Sequence, residues 1–78
     1  MERMIGVVIA VRLNQGFAFV RGTEDRLPRF ICAKDLEPVA AFDTLHEGQK
    51  VTFEPAGVLN TAPNARHNGL RGLKVRVG

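Results

Sequence analysis

The chain has 78 residues, 45% of them hydrophobic, and its 11 Lys and Arg against 8 Asp and Glu leave a net charge of +3. A chain this short forms one domain, residues 1–78, buries only roughly 60% of its unfolded surface and has no room for a large enclosed active site. Residues 4–11, the longest uncharged run near the N-terminus, are too few to span a bilayer, no small-residue cleavage site marks a secretory signal, and the single Cys32 forms no intramolecular disulfide, so a cytoplasmic protein without a membrane segment is expected.

In chain order, residues 4–13 are apolar and β-branched and predict a long strand covered on both faces, with Gly6 marking a bend or close packing. Asn14-Gln15-Gly16 is a turn signal, and residues 16–21 form the second strand of a hairpin. A polar stretch over 22–26 leads to a third strand over 27–33, where Pro28 is tolerated near the start. Residues 34–48 lack strand period; short helical turns are predicted at 33–36 and 43–46. Residues 49–54 alternate cleanly as strand four, with Val51 and Phe53 inward. Residues 55–69, rich in Pro, Gly and Asn, predict a long loop before strand five, Leu70–Val77, with Leu73, Val75 and Val77 on one face and Lys74 and Arg76 on the other. Five short strands with a long break between the third and fourth predict an all-β fold, a five-stranded antiparallel Greek-key barrel of the OB type, closed so that no edge is exposed; an SH3-like barrel is the alternative.

The stretch Gln15-Gly16-Phe17-Ala18-Phe19-Val20 sets two bulky rings at period 2 between small residues, so Phe17 and Phe19 share one strand face. Periodicity alone favours the interior for them; facing outward, two adjacent rings call for something flat to stack on them, such as bases. Positive charge is uneven: residues 66–78 carry Arg66, His67, Arg71, Lys74 and Arg76 and no acid, either a solvated face or the long-range attraction that a phosphate backbone needs. Cys32, His46 and His67 are too scattered for a metal site, no nucleophile, base and orienting acid pair up, and neither a cofactor nor catalysis is expected.

Gly6 to Val8, the Gln15-Gly16-Phe17-Ala18-Phe19-Val20 motif, Phe30-Ile31, and the run Phe42-Asp43-Thr44-Leu45-His46-Glu47-Gly48-Gln49-Lys50-Val51-Thr52-Phe53-Glu54 follow one another in the order and spacing of a bacterial cold-shock domain. The chain resembles that family over residues 4–54 and more loosely beyond, as a divergent member. The resemblance implies an OB barrel that binds single-stranded RNA or DNA with low sequence selectivity, as an RNA chaperone or a regulator of transcription or translation, with Phe17, Phe19, Phe30 and Phe42 as exposed stacking rings and only Phe53 left for the core.

Departures from the family pattern weaken that platform. Ala10 and Val11 stand where the family has Trp and Phe, Arg12 where it has Asn, Cys32 where it has His, Ala33 where an aromatic is common, and Gln15 where it has Lys. If each of about four lost stacking surfaces is worth about 1 kcal/mol, affinity falls roughly a thousandfold before compensation. Basic residues around the face (Arg12, Arg21, Arg26, Arg29, Lys34) and Arg66, His67 and Arg71 in or beside the long loop are the candidates for compensation, each with a solvated side chain as the plainer reading. The expected ligand contacts are therefore Phe17, Phe19, Phe30, Phe42, Arg12, Gln15, Arg29, Lys34, Arg66 and Arg71. The alternative is a protein-interaction or self-associating domain, a homodimer included, with weakened nucleic-acid binding.

Overall fold

A computed structural model describes residues 2–64 and 68–78. Five strands, β1 (Met4–Arg12), β2 (Phe17–Gly22), β3 (Pro28–Cys32), β4 (Lys50–Gly57) and β5 (Leu70–Val77), close into one barrel in the order β1-β2-β3-β5-β4. The β1–β2, β2–β3, β1–β4 and β4–β5 pairs are antiparallel, while β3 and β5 run parallel with Phe30 opposite Arg71. The expected all-antiparallel barrel is thus corrected, for a topological reason. Around a closed ring of five strands, direction cannot alternate at every step, and at least one neighbouring pair must be parallel. Among the described residues no helix is long and apolar enough to cross a membrane.

The hairpin turn is a short 3-10 helix, Leu13–Gln15, ended by Gly16 at φ 77°, a left-handed conformation that costs glycine little and a side-chain-bearing residue more. Two further 3-10 segments, Ala33–Asp35 and Val39–Thr44, replace the predicted helical turns at slightly different positions. They carry apolar side chains onto the barrel core: Val8, Ala18, Val20, Ile31, Val51, Phe53 and Val75 from the strands join Leu36, Phe42 and Leu45 in one cluster. Phe53 is fully buried, and glycines on the two neighbouring strands make space for it, since a Cβ on Gly6 would stand 2.8 Å and one on Gly72 3.3 Å from its ring.

Two β-bulges break the strand alternation that the sequence suggests. On β1, Val8 pairs with Val20 but Ala10 pairs with Phe19, so Ile9 is the extra residue. On β5, the pairing passes from Thr52–Arg76 to Glu54–Leu73, an extra residue falling at 74–75, and Lys74 takes φ 49° there. The second bulge corrects the predicted common face of Leu73, Val75 and Val77: Val75 is buried while Leu73 is 38% exposed. β4 also runs three residues past its predicted end, through Pro55, to Gly57.

Candidate nucleic-acid interface

On β2 the small residues Ala18 and Val20 are fully buried, which turns Phe17, Phe19 and Arg21 to the outside of the barrel. Phe30 stands opposite Phe19 on β3, and the three rings form a closed cluster. Phe17 meets Phe19 edge-on at 5.8 Å between centroids, Phe19 meets Phe30 edge-on at 5.7 Å, and Phe17 lies tilted against Phe30 at 5.5 Å. Each ring is half-buried, and the ring contacts offset part of the cost of holding three phenylalanines at a surface.

The β1 bulge decides what flanks the rings. In a regular strand Gly6, Val8, Ala10 and Arg12 would share the inner face. The extra residue at Ile9 reverses the alternation, so that Val11 packs on the core while Ala10 lies opposite Phe19 and the exposed Arg12 opposite Phe17. The Arg12 guanidinium donates to the carbonyl of its own neighbour Val11, at 3.1 Å. It lines a surface hollow of about 450 Å³ with Leu13, Asn14 and the exposed Gln15 at the hairpin end of the cluster. At the other end a hollow of about 640 Å³ lies between Val7 and Ile9 of β1 and Arg21 and Arg26.

Arg71, from β5, completes the cluster on the β3 side. Its guanidinium carbon lies 5.1 Å from the Phe30 ring centre, its Nε donates to the Phe30 carbonyl at 3.3 Å, and its Nη2 donates to Asp35 Oδ2 at 2.9 Å and lies 3.6 Å from the Cys32 sulfur. The same Asp35 oxygen accepts from the backbone N–H of Cys32 at 2.8 Å. Lys34 is exposed on the 3-10 segment beside them.

Two expected contacts are corrected. Phe42, read as an exposed stacking ring, is 4% exposed and belongs to the core, because the 3-10 segment Val39–Thr44 turns it inward beside Leu36 and Leu45. Arg29, read as a basic residue of the face, is 6% exposed: it alternates with Phe30 on β3 and so points inward. There it pairs with Asp25 at 2.8 Å, donates to the Arg71 carbonyl at 3.3 Å and places its guanidinium carbon 5.7 Å from the Phe53 ring centre. Burial pushes the Asp25 carboxyl up, but the Leu27 amide and the Arg29 guanidinium outweigh it and hold the group below its ordinary value. Arg66 and His67 lie outside the described residues.

The structure therefore brings Phe17, Phe19, Phe30, Arg12 and Arg71 to one side of the barrel, sets Gln15 beside Arg12 at the hairpin end, leaves Lys34 exposed on the segment that follows β3, and takes Phe42 and Arg29 away from the face. Asp35 is the residue that sequence reasoning missed; nothing local marks it, since its partner Arg71 is 36 positions away. Among the described residues no cluster of three or more His, Cys, Asp or Glu is grouped to hold a metal ion. No protein-family model matches the chain, and no curated protein matches it.

Proposed function

We propose that this barrel is an OB-type, cold-shock-like module that binds single-stranded RNA or DNA without catalysis, stacking bases on Phe17, Phe19 and Phe30 and holding phosphates with Arg12, Arg21 and Lys34. The observation that carries the reading is the cluster of three phenylalanine rings on the outer face of β2 and β3, flanked by arginines on three sides. The closed order β1-β2-β3-β5-β4 is compatible with an OB barrel, a fold whose strand two and three face takes oligonucleotides. Such stacking is sequence-tolerant, because every base has a flat face, and the role that follows is that of an RNA chaperone or a regulator of transcription or translation acting on exposed single strands.

The test is fluorescence anisotropy of labelled single-stranded RNA and DNA of about eight nucleotides, within the roughly 4–16 that one OB fold covers, with duplex as control. Single strands are expected to bind more tightly than duplex, and Phe17→Ala with Phe19→Ala to cost at least about 30-fold at two stacked bases lost, with the circular-dichroism spectrum and melting unchanged in form. Equal binding of single strand and duplex, or an indifferent double variant, would overturn the reading. A mass that rises with protein concentration and ignores added oligonucleotide would then favour a self-associating domain.

A further inference from the structure

Resting on that reading of the Phe face, we infer that Arg71 is a base-stacking surface, not a phosphate clamp, and that Asp35 is the residue that positions it. Phosphate-tracking cations in single-strand grooves act as mobile charges: they need reach, and their charge must be available to replace a counterion. Arg71 is the opposite case. Its Nε is tied to the Phe30 carbonyl and its Nη2 to the Asp35 carboxylate, with the Cys32 sulfur next to it, so the plane of the guanidinium is set by groups on β3 and on the turn that follows. Its charge is met at 2.9 Å by a carboxylate whose side chain is only 8% exposed. About a third of the side chain stays exposed, and its guanidinium carbon sits over the Phe30 ring, 5.1 Å from the ring centre.

A guanidinium held over an aromatic ring offers its other face to a base, which stacks on it much as on a ring. Arg71 thereby extends the three-ring cluster by one surface on the β5 side. Asp35 has the complementary geometry: one oxygen accepts both the Cys32 amide and Arg71 Nη2, so the carboxylate anchors the arginine to the end of β3. Arg12, exposed and paired with no acid among the described residues, remains the phosphate-type cation of the same face.

The two roles differ in salt dependence. Each phosphate contact contributes roughly 0.7 to the slope of log affinity against log salt for a single strand, whereas stacking contributes to the intercept. The probe is a labelled oligothymidylate of about eight nucleotides, within the site size of such a fold, titrated by anisotropy across a salt series. For Arg71→Lys, which keeps the charge and loses the plane, we expect affinity to fall about fivefold or more at every salt concentration, with the slope unchanged. Arg12→Gln is expected to flatten the slope by roughly 0.7. Asp35→Asn is expected to reproduce the Arg71→Lys intercept loss, and the double variant to lose no more than either single one, as coupled partners do. Wild-type affinity in Arg71→Lys, or a slope that flattens in Arg71→Gln, would overturn the inference. If Asp35→Asn melts too low to titrate, the Arg71→Lys and Arg71→Gln pair decides alone. Phe17→Ala in the same series separates the two failures: loss there with an indifferent Arg71→Lys removes the Arg71 role only, and no loss in either removes the binding face itself.

Discussion

Replacing Phe42 by alanine tests a ring that the cold-shock resemblance places with the ligand and the fold places in the core. Removing a buried phenylalanine leaves a cavity and costs about 3–5 kcal/mol, a large share of what so small a domain has to spare. Phe42→Ala is therefore expected to lower the denaturant midpoint sharply while the affinity of the molecules still folded stays at the wild-type value; a normal midpoint with lost binding would return Phe42 to the surface. Asp25 makes a second prediction at this scale. Its carboxyl is held below the ordinary aspartate value of 3.8 by the Leu27 amide and Arg29, against the cost of burial, so the unfolded chain binds the proton more readily than the native one. The stabilisation it supplies is complete above that ordinary value and is lost as the pH falls from there through the lower native one. Melting temperatures of the wild type and Asp25→Asn should therefore converge as the pH drops through that acidic window, with the wild type higher above it. A constant gap across the window would mean that Asp25 does not titrate differently in the two states.

At the scale of the strands, the bulge at Lys74 is the point to probe. A lysine at φ 49° bears a left-handed conformation that glycine adopts without steric cost, and its ammonium is mostly exposed, 3.9 Å from Glu54. Lys74→Gly is expected to raise stability by up to about 1 kcal/mol, and Lys74→Val, β-branched, to lower it by at least as much; chemical denaturation of the two variants checks both signs. The five strands themselves were legible in the chain, because alternation over 49–54 and the β-branched run over 4–13 depend on local pattern alone. The bulges were not, since one extra residue leaves composition untouched and only inverts which side chains face in. That inversion puts Arg12 beside Phe17 and takes Leu73 out of the core. Phe17 and Phe19 could be read as a pair from their spacing, and Phe30 joins them through the resemblance to cold-shock domains. The inward turn of Phe42 could not be read, because it follows from packing beside Leu36 and Leu45, whereas that of Arg29 is implied by strand alternation once Phe30 faces out, and what a buried arginine pairs with, Asp25 and Phe53, is seen only in the fold.

Across the whole molecule, β3 and β5 meet through a single register pair, Phe30 with Arg71, reinforced by the arginine side chains that bond across it. The two residues are 41 positions apart, and among the described residues β3 and β5 share fewer paired backbone positions than any other neighbouring strands of the barrel, so this long-range junction, held mainly by side chains, is where the barrel is expected to open first. They are also the residues argued above to carry a base. A strand laid across both would act as a staple over the joint, and the energy of binding would appear as resistance to opening: at a hundredfold excess over Kd the opened form becomes rarer by about 2.7 kcal/mol, if it has no affinity of its own. Native-state hydrogen exchange should then show amides of β3 and β5 slowing on addition of oligonucleotide more than those at the β1–β4 pairing. Uniform slowing would mean that the barrel opens only as a unit. If the face binds as proposed, the joint that completes the fold and the surface that meets the ligand are the same few residues, and occupancy would report on closure.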